Sequence, residues 1–486
     1  MAGQSAKSVE ELILKKVATI RRWKKTKLNR ARQKWDFQFT IMTYNILSQN
    51  AVENHRYLYK KCHPAFLQED YRISKILPEI LKSKSDIICL QEVEQNLFYN
   101  RIKNVFDSNG FASIFKKRTG SKSDGCAILW RKKKFDLVHE KAVEFRSRGN
   151  ALLDRDNIGL IAVLKPNHPK LAHLFLHVAT THLLFNPRRG DIKLCQLRWF
   201  FAELERLSLK QVTDEIRHYH PIILCGDFNI EPNSPLYQFI ETGCIDVLNI
   251  MSGDLSGQSE GKKKGRIVDG ESLLLHKHGI SDASRFDVGQ AQNEKCATTS
   301  KVGASSKSPI AVGNTKGNST SSGSHTTSFD PNLLAAIGSS SDSRWISTLL
   351  AMGNKQLADE LTARLQADQN RSASVGSSKS VSEFGAKESG QFFYHGFKFI
   401  PTYKYKTDQK CFPITSMTGK DFNTVDHIFY GVDRKDMDSY REGSLRLLSF
   451  YSLITSDDAV ELGGLPNAGL GSDHICLMAH FALCNR

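Results

Sequence analysis

The chain has 486 residues, and 67 Lys and Arg against 51 Asp and Glu give it a net charge of +16. It has no run of about 18 apolar residues to cross a membrane, and its N-terminus sets two glutamates before a short apolar stretch, which argues against a secretory signal. The 10 cysteines form no C-x-x-C pair, so neither a zinc site nor a disulfide framework is signalled; a reduced compartment is expected, the cytoplasm with the nucleus as alternative.

Residues 1–36 hold eleven basic and three acidic residues, half of the net charge. They read as a basic N-terminal arm that adds sequence-independent affinity for nucleic acid or serves nuclear import. The plain alternative is a solvated arm with no partner.

From residue 37 strands and helices alternate. Phe37 to Ile41 has period two and runs into Met42-Thr43-Tyr44-Asn45. Asp86 to Leu90 is a buried-strand run ending at Gln91-Glu92. Further strands are predicted at Gly125–Trp130, Ile158–Val163, Leu174–Ala179 and Pro221–Cys225. Asp191 to Leu209 has helical apolar spacing and an acid at the favourable end of the dipole. Ser234 and Pro235 read as N-cap and first turn of a short helix through Phe239.

Residues 251 to about 390 are too poor in large apolar groups to offset the entropy of ordering. They read as a disordered insertion into one domain spanning 37–486, with short helix candidates at 330–334 and 345–365 and a role in docking a protein partner. Strand grammar returns at Phe422–Tyr430, Leu445–Leu453 and His474–Phe481.

Polar clusters stand at the predicted strand ends: Asn45, Gln91-Glu92, Thr181-His182, Gly226-Asp227-Phe228-Asn229 and Ser472-Asp473-His474; Asp426-His427 lies within a strand. Each alone has an ordinary reading, such as an Asx turn at Asp227 or a surface ion pair at Asp473. Converging carboxylates repel unless a cation neutralises them. Oxygen ligands without thiolates suit a hard ion, Mg²⁺ or alternatively Mn²⁺. A hard ion with nearby His and Asn fits phosphoester hydrolysis.

This ordered set resembles the endonuclease/exonuclease/phosphatase superfamily. The strings Tyr44-Asn45-Ile46-Leu47-Ser48, Asp124-Gly125-Cys126-Ala127-Ile128, Leu153 to Leu160 and Thr181 to Leu194 are similar to the branch of nocturnin and the carbon-catabolite-repressor deadenylases. Within it the last string, with Gly464-Leu465-Pro466-Asn467, resembles the Angel proteins. The resemblance covers about 37–250 and 391–486 and implies a four-layer α/β sandwich, two mixed sheets face to face with helices outside.

It implies Glu92 as the main metal ligand, with Asn45 and Asp473 beside it. Asp227 would orient or deprotonate the attacking water, Asn229 and His182 would contact the phosphate, and Asp426 would hold His474 against it. Pro187 and Asn157 would contact substrate. Pro187 and Phe422 would clamp an adenine, although Phe422 matches only with a one-residue gap. His427 replaces the branch's usual Tyr and is expected to alter the wall beside Asp426. The implied reaction is hydrolysis of RNA 2′,3′-cyclic phosphates to a free diol by a monomer with no membrane partner. A 3′–5′ exoribonuclease or poly(A) deadenylase is the alternative, and an inactive RNA-binding protein the third reading.

Overall fold

The computed structural model describes residues 2–30, 35, 37–147, 150–213, 216–268, 392–405, 412–419, 421–434 and 440–485. In chain order the elements that matter are α1 (Ala2–Ile20), β1 (Trp23–Lys25), β2 (Phe37–Asn45), α2 (Glu69–Lys82), β3 (Ile87–Glu94), β4 (Phe111–Lys117), β5 (Asp124–Arg131), β6 (Phe135–Glu144), β7 (Ile158–Pro166), β8 (Leu176–His182), α3 (Gly190–Ser208), β9 (Ile222–Asp227), α4 (Pro235–Thr242), β10 (Lys398–Pro401), β11 (Asp426–Arg434), β12 (Leu445–Tyr451) and β13 (Leu477–Leu483).

These strands form two mixed sheets. One runs β1-β12-β13-β2-β3-β5-β4, the other β10-β11-β9-β8-β7-β6. Alternation along each strand sorts its side chains between two faces. Phe39, Ile41, Ile87, Cys89 and Phe481 of the first sheet meet Leu160, Val178, Ile223 and Ile428 of the second in one inter-sheet core. The opposite face of the first sheet buries Met42, Tyr44, Ile88 and Leu90 under Ile73, Ile76 and Ile80 of α2. The second sheet's outer face packs Leu197, Phe200, Phe201 and Leu204 of α3 and Leu236, Phe239 and Ile240 of α4. The result is the four-layer α/β sandwich. α4 starts as its sequence predicts, with Ser234 Oγ accepting from Tyr237 N at 3.2 Å.

Three boundaries differ from the sequence reading. The basic arm is built into the domain: Ile13 packs against Ile414, Ile454 and Leu465, and β1 pairs with β12, Trp23 opposite Tyr451. Arg21 is buried, donating to the Ser452 carbonyl at 2.9 Å and the Cys476 carbonyl at 2.6 Å. Ile13, with the half-buried Val17 and Ile20 at helical spacing, gives α1 a docking face that charge counting hides. Residues 251–268 likewise belong to the domain, with Ser252, Leu255, Ser256 and Val268 buried. Low hydrophobicity misleads there because polar side chains and backbone make the contacts. The rest of the expected insertion, including both helix candidates, lies outside the described residues. Finally, Phe422–Tyr430 is two elements, a short strand Asp421–Asn423 and then β11, divided where Thr415 Oγ1 captures the Val425 and Asp426 amides.

Candidate active site

Strand register alone lines up three of the expected residues. Asp227 ends β9, paired with His182 on β8 and Asp426 on β11. Gly226 permits this close approach, since a Cβ there would lie 2.1 Å from the Thr181 carbonyl oxygen. In the facing sheet Asn45 ends β2 beside Gln91, and a bulge after Leu90 presents Glu92 at a φ of 57°. Leu47 and Asn229 also hold positive φ, 56° and 52°. Non-glycine residues persist in that region only where their surroundings over-determine them.

Hydrogen bonds supply that constraint. Asn45 Nδ2 donates to Glu92 Oε1 at 2.9 Å and to Asp227 Oδ2 at 3.0 Å, while Asn45 Oδ1 accepts from Leu47 N at 3.0 Å. Glu92 Oε2 accepts from Ser48 N at 2.9 Å. Asp227 Oδ1 accepts from Asn229 N at 3.0 Å. Beneath them Gln91 Nε2 bridges the sheets through Thr43 Oγ1 and Thr180 Oγ1, at 3.1 and 2.9 Å. His182 Nε2 lies 3.5 Å from Asp227 Oδ2, and His474 Nε2 lies 3.8 Å from the same oxygen. His474 Nδ1 is 2.8 Å from Asp426 Oδ2.

Burial pushes the Glu92 carboxyl up, but His182, the Asn45 and Ser48 hydrogen bonds and His474 outweigh it, so Glu92 sits below its ordinary range. Burial opposes charge on His474 too. Asp426, then Asp473 and Asp227, override it and hold the imidazole protonated well above its usual range. Burial raises Asp426 to about 6 against the pull of His474, so near neutrality this pair is an imidazolium facing a carboxylate.

The acids cluster as a cation requires. Donor atoms of Glu92, His182 and Asp227 lie within 4.8 Å of one another, as do those of Asp227, Asp426 and His474. Asp473 Oδ2 accepts from Tyr59 Oη at 2.8 Å, while its Oδ1 is buried without a hydrogen-bond partner among the described residues. His474 Nε2 lies 4.0 Å from that oxygen, an ion pair without a hydrogen bond, and a buried carboxylate oxygen with no hydrogen bond is costly; burial raises Asp473 against the pull of His474, and the Glu92 charge raises it further. Carboxylate oxygens of Glu92, Asp227 and Asp473, with imidazoles beside them and no thiolate, fit a hard divalent ion.

The structure thus brings together Asn45, Glu92, His182, Asp227, Asn229, Asp426, Asp473 and His474. Asn45 turns its amide hydrogens, not a free oxygen, toward the acids, which makes it a clamp on them. Asn157 is buried, donating to the His182 carbonyl at 3.0 Å and accepting from Gln196 Nε2 at 3.3 Å; it positions the end of β8 from within. Pro187 lines an open cavity of about 360 Å³ with Asn186, Arg188, Glu260 and Lys264. Phe422 is not among those lining residues and packs against the Ile414 and Met417 cluster. His427 does not form a wall beside Asp426. Strand alternation turns it to the outer core, where its Nε2 meets the Ile230 carbonyl at 2.7 Å against Tyr237 and Phe429.

Four supporting residues carry no sequence signal, because their partners are distant in the chain. They are Tyr59, Thr415, Lys193 and Arg72, the last buried and donating to the Ile46, Leu47 and Gly471 carbonyls at 3.0, 2.7 and 3.4 Å. Lys193 Nζ donates to the Asn229 carbonyl at 2.7 Å.

Comparison with known proteins agrees with this geometry. Residues 42–474 match the endonuclease/exonuclease/phosphatase family. Protein angel homolog 2 of Mus musculus is 30% identical over 466 residues, covering 92% of this chain and 70% of that protein. Its Danio rerio counterpart is 44% identical over 241 residues, 50% of this chain but 42% of the relative. A crystal structure of ANGEL2, a 2′,3′-cyclic phosphatase, superposes with a TM-score of 0.66 at 28% identity over 95% of this chain and 97% of the other. The same protein in complex with adenosine-2′,3′-vanadate gives 0.64 at 29% identity, over 95% of this chain and 98% of the other. Among the described residues no helix is long and apolar enough to cross a membrane.

Proposed function

Because the chain belongs to the endonuclease/exonuclease/phosphatase family, we propose that it is a divalent-cation-dependent phosphoesterase that acts on RNA 3′ ends and hydrolyses 2′,3′-cyclic phosphates to the free diol. The observation that carries the reading is the joined set of Asn45, Glu92 and Asp227 with His474 on Asp426.

Glu92 and Asp473 would hold Mg²⁺, or Mn²⁺ in its place, and the bound ion would polarise a phosphoryl oxygen. Asp227, fixed by Asn45 and the Asn229 amide, accepts a proton from the attacking water. His474 is kept protonated by Asp426, so its Nε2–H is a donor for phosphoryl oxygens as they gain charge. His182 borders Asp227 from the other side. Asn229 Nδ2 gives one hydrogen to the Leu183 carbonyl at 3.2 Å and has a second for phosphate. One water opens the five-membered ring to a monoester; a second releases inorganic phosphate.

A cyclic terminal phosphate needs no base clamp, and Phe422 is not placed with Pro187. The likeness to a 2′,3′-cyclic phosphatase supports the same choice. Exoribonuclease action remains the second reading, favoured by Pro187 on an open cavity and by 32% identity over 291 residues to carbon catabolite repressor protein 4 homolog 6 of Arabidopsis thaliana, 53% of this chain and 37% of that one. An inactive scaffold is the weakest reading, since every acid of the set is in place.

The test is product analysis of two 5′-labelled RNAs, one ending in a cyclic phosphate and one in oligo(A), with Mg²⁺ or EDTA. Conversion of the first to a diol without shortening supports the proposal. Shortening of both without terminal dephosphorylation overturns it.

A further inference from the structure

The loop that leaves the site after His182 is backed by residues 251–268. Gly190 N donates to the Ser252 carbonyl at 2.9 Å, Ser252 Oγ to the Arg188 carbonyl at 2.7 Å and Ser256 Oγ to the Pro187 carbonyl at 3.3 Å. The contact is backbone on backbone: a Cβ at Gly261 would lie 2.3 Å from the Pro187 carbonyl oxygen. From inside, Lys193 Nζ joins the Asn229 carbonyl to Gln258 Oε1, both at 2.7 Å. The segment is therefore fixed relative to a phosphate-contacting residue.

Its outer side carries Lys262, Lys263 and Lys264, all exposed, and Arg188 is exposed beside them. Among the described residues none of these four has an ion-pair partner. Arg266, by contrast, is held by Asp191 at 2.8 Å, and Glu260 is the one acid lining the cavity. Like charges crowded onto a fixed segment repel one another and add nothing to the fold. They become favourable against a polyanion. Phe185, 60% exposed on the same loop, offers a stacking face for a base.

We propose that Arg188, Lys262, Lys263 and Lys264 form the docking surface for the phosphate backbone of the single-stranded RNA whose 3′ end enters the site. This rests on the function proposed above and names where that substrate's body lies.

The experiment is fluorescence anisotropy of a short labelled single-stranded RNA with the full chain across a salt series, comparing wild type with K262Q/K263Q/K264Q. A charge-matched control, K132Q/K133Q/K165Q, lies at the far rim, where Ile87 pairs with Trp130 and Asp136 with Lys165. The expected result is affinity weakened about tenfold at low salt and a salt slope shallower by about 2, three phosphate contacts at roughly 0.7 each. An unchanged slope, or an equal loss in the control, overturns the proposal. Binding needs no turnover, so a protein inert on cyclic phosphates but binding RNA through these lysines contradicts the reaction alone. An active enzyme binding independently of them contradicts the docking surface alone.

Discussion

Asn45 and Asp227 stand 182 residues apart in the chain and meet through a 3.0 Å hydrogen bond that crosses from one sheet to the other. The second hydrogen of the same nitrogen goes to Glu92. One neutral amide therefore separates the buried Asp227 carboxylate from the half-buried Glu92 carboxylate and aims both. Asn45→Ala removes both donors, so the acids are expected to lose their aim and the reaction to slow by roughly 10²–10³. Steady-state kcat, with a thermal melt to show that the fold persists, checks this.

Asp426 acts through His474. In Asp426→Asn the imidazole keeps a neighbour but loses the largest of the charges that hold it protonated against burial, with only Asp473 and Asp227 left to do so. A fall of roughly 10²–10³ in kcat is expected, with KM nearly unmoved because the contact tightens as phosphoryl oxygens gain charge. A rise in KM at constant kcat would assign His474 to ground-state binding instead.

Tyr59 donates to Asp473 at 2.8 Å and so orients a proposed metal ligand. Losing such a partner typically weakens metal affinity 10–100-fold. Tyr59→Phe is expected to raise the Mg²⁺ concentration for half-maximal activity by about that factor, with kcat recovered at saturating ion. Titrating activity against Mg²⁺ tests it.

Lys193 is buried, and burial lowers its ammonium from the ordinary 10.5 to about 7 even with Asp227 and Glu231 nearby. Between these two values the unfolded chain holds a proton that the folded chain does not. Stability therefore rises with pH from about 7 to 10.5, and is lowest where the amine is charged in both states. Lys193→Met is expected to flatten that rise. Urea midpoints at a series of pH values for both proteins check it.

Arg21 is the residue that most directly separates a structural arm from a floating one. Its removal leaves the buried Ser452 and Cys476 carbonyls without a donor. Arg21→Ala is expected to cost about 2–4 kcal/mol of unfolding free energy, measured by urea denaturation. An unchanged midpoint would return residues 1–36 to the role of a solvated tail.

How far the sequence foretold these features depends on the range of the interactions. Strands β2, β3, β5 and β9 declare themselves through local apolar runs, and Ser234 through its own cap. The polar residues that meet at this rim were legible through their places at predicted strand ends and through the family resemblance of their ordered set, and a two-sheet sandwich brings such ends together. Tyr59, Arg72 and Lys193 were not, because each acts through partners tens to hundreds of residues away, and Thr415 was not, because its hydroxyl meets amides ten and eleven residues on, beyond any local motif. His427 was misread because its neighbour Asp426 drew it toward the site, whereas period-two alternation sends it to the opposite face. Residues 251–268 were misread because glycines and polar groups, not large apolar ones, seat them on Pro187 to Gly190.

Glu92 and Asp473 are proposed to share one hard cation. Its most direct measurement is anomalous diffraction from crystals grown with Mn²⁺. A peak is expected at about 2.1–2.2 Å from carboxylate oxygens of both residues. A peak held only by other groups, such as Asp227 and Asp426, or none at this rim, would contradict it.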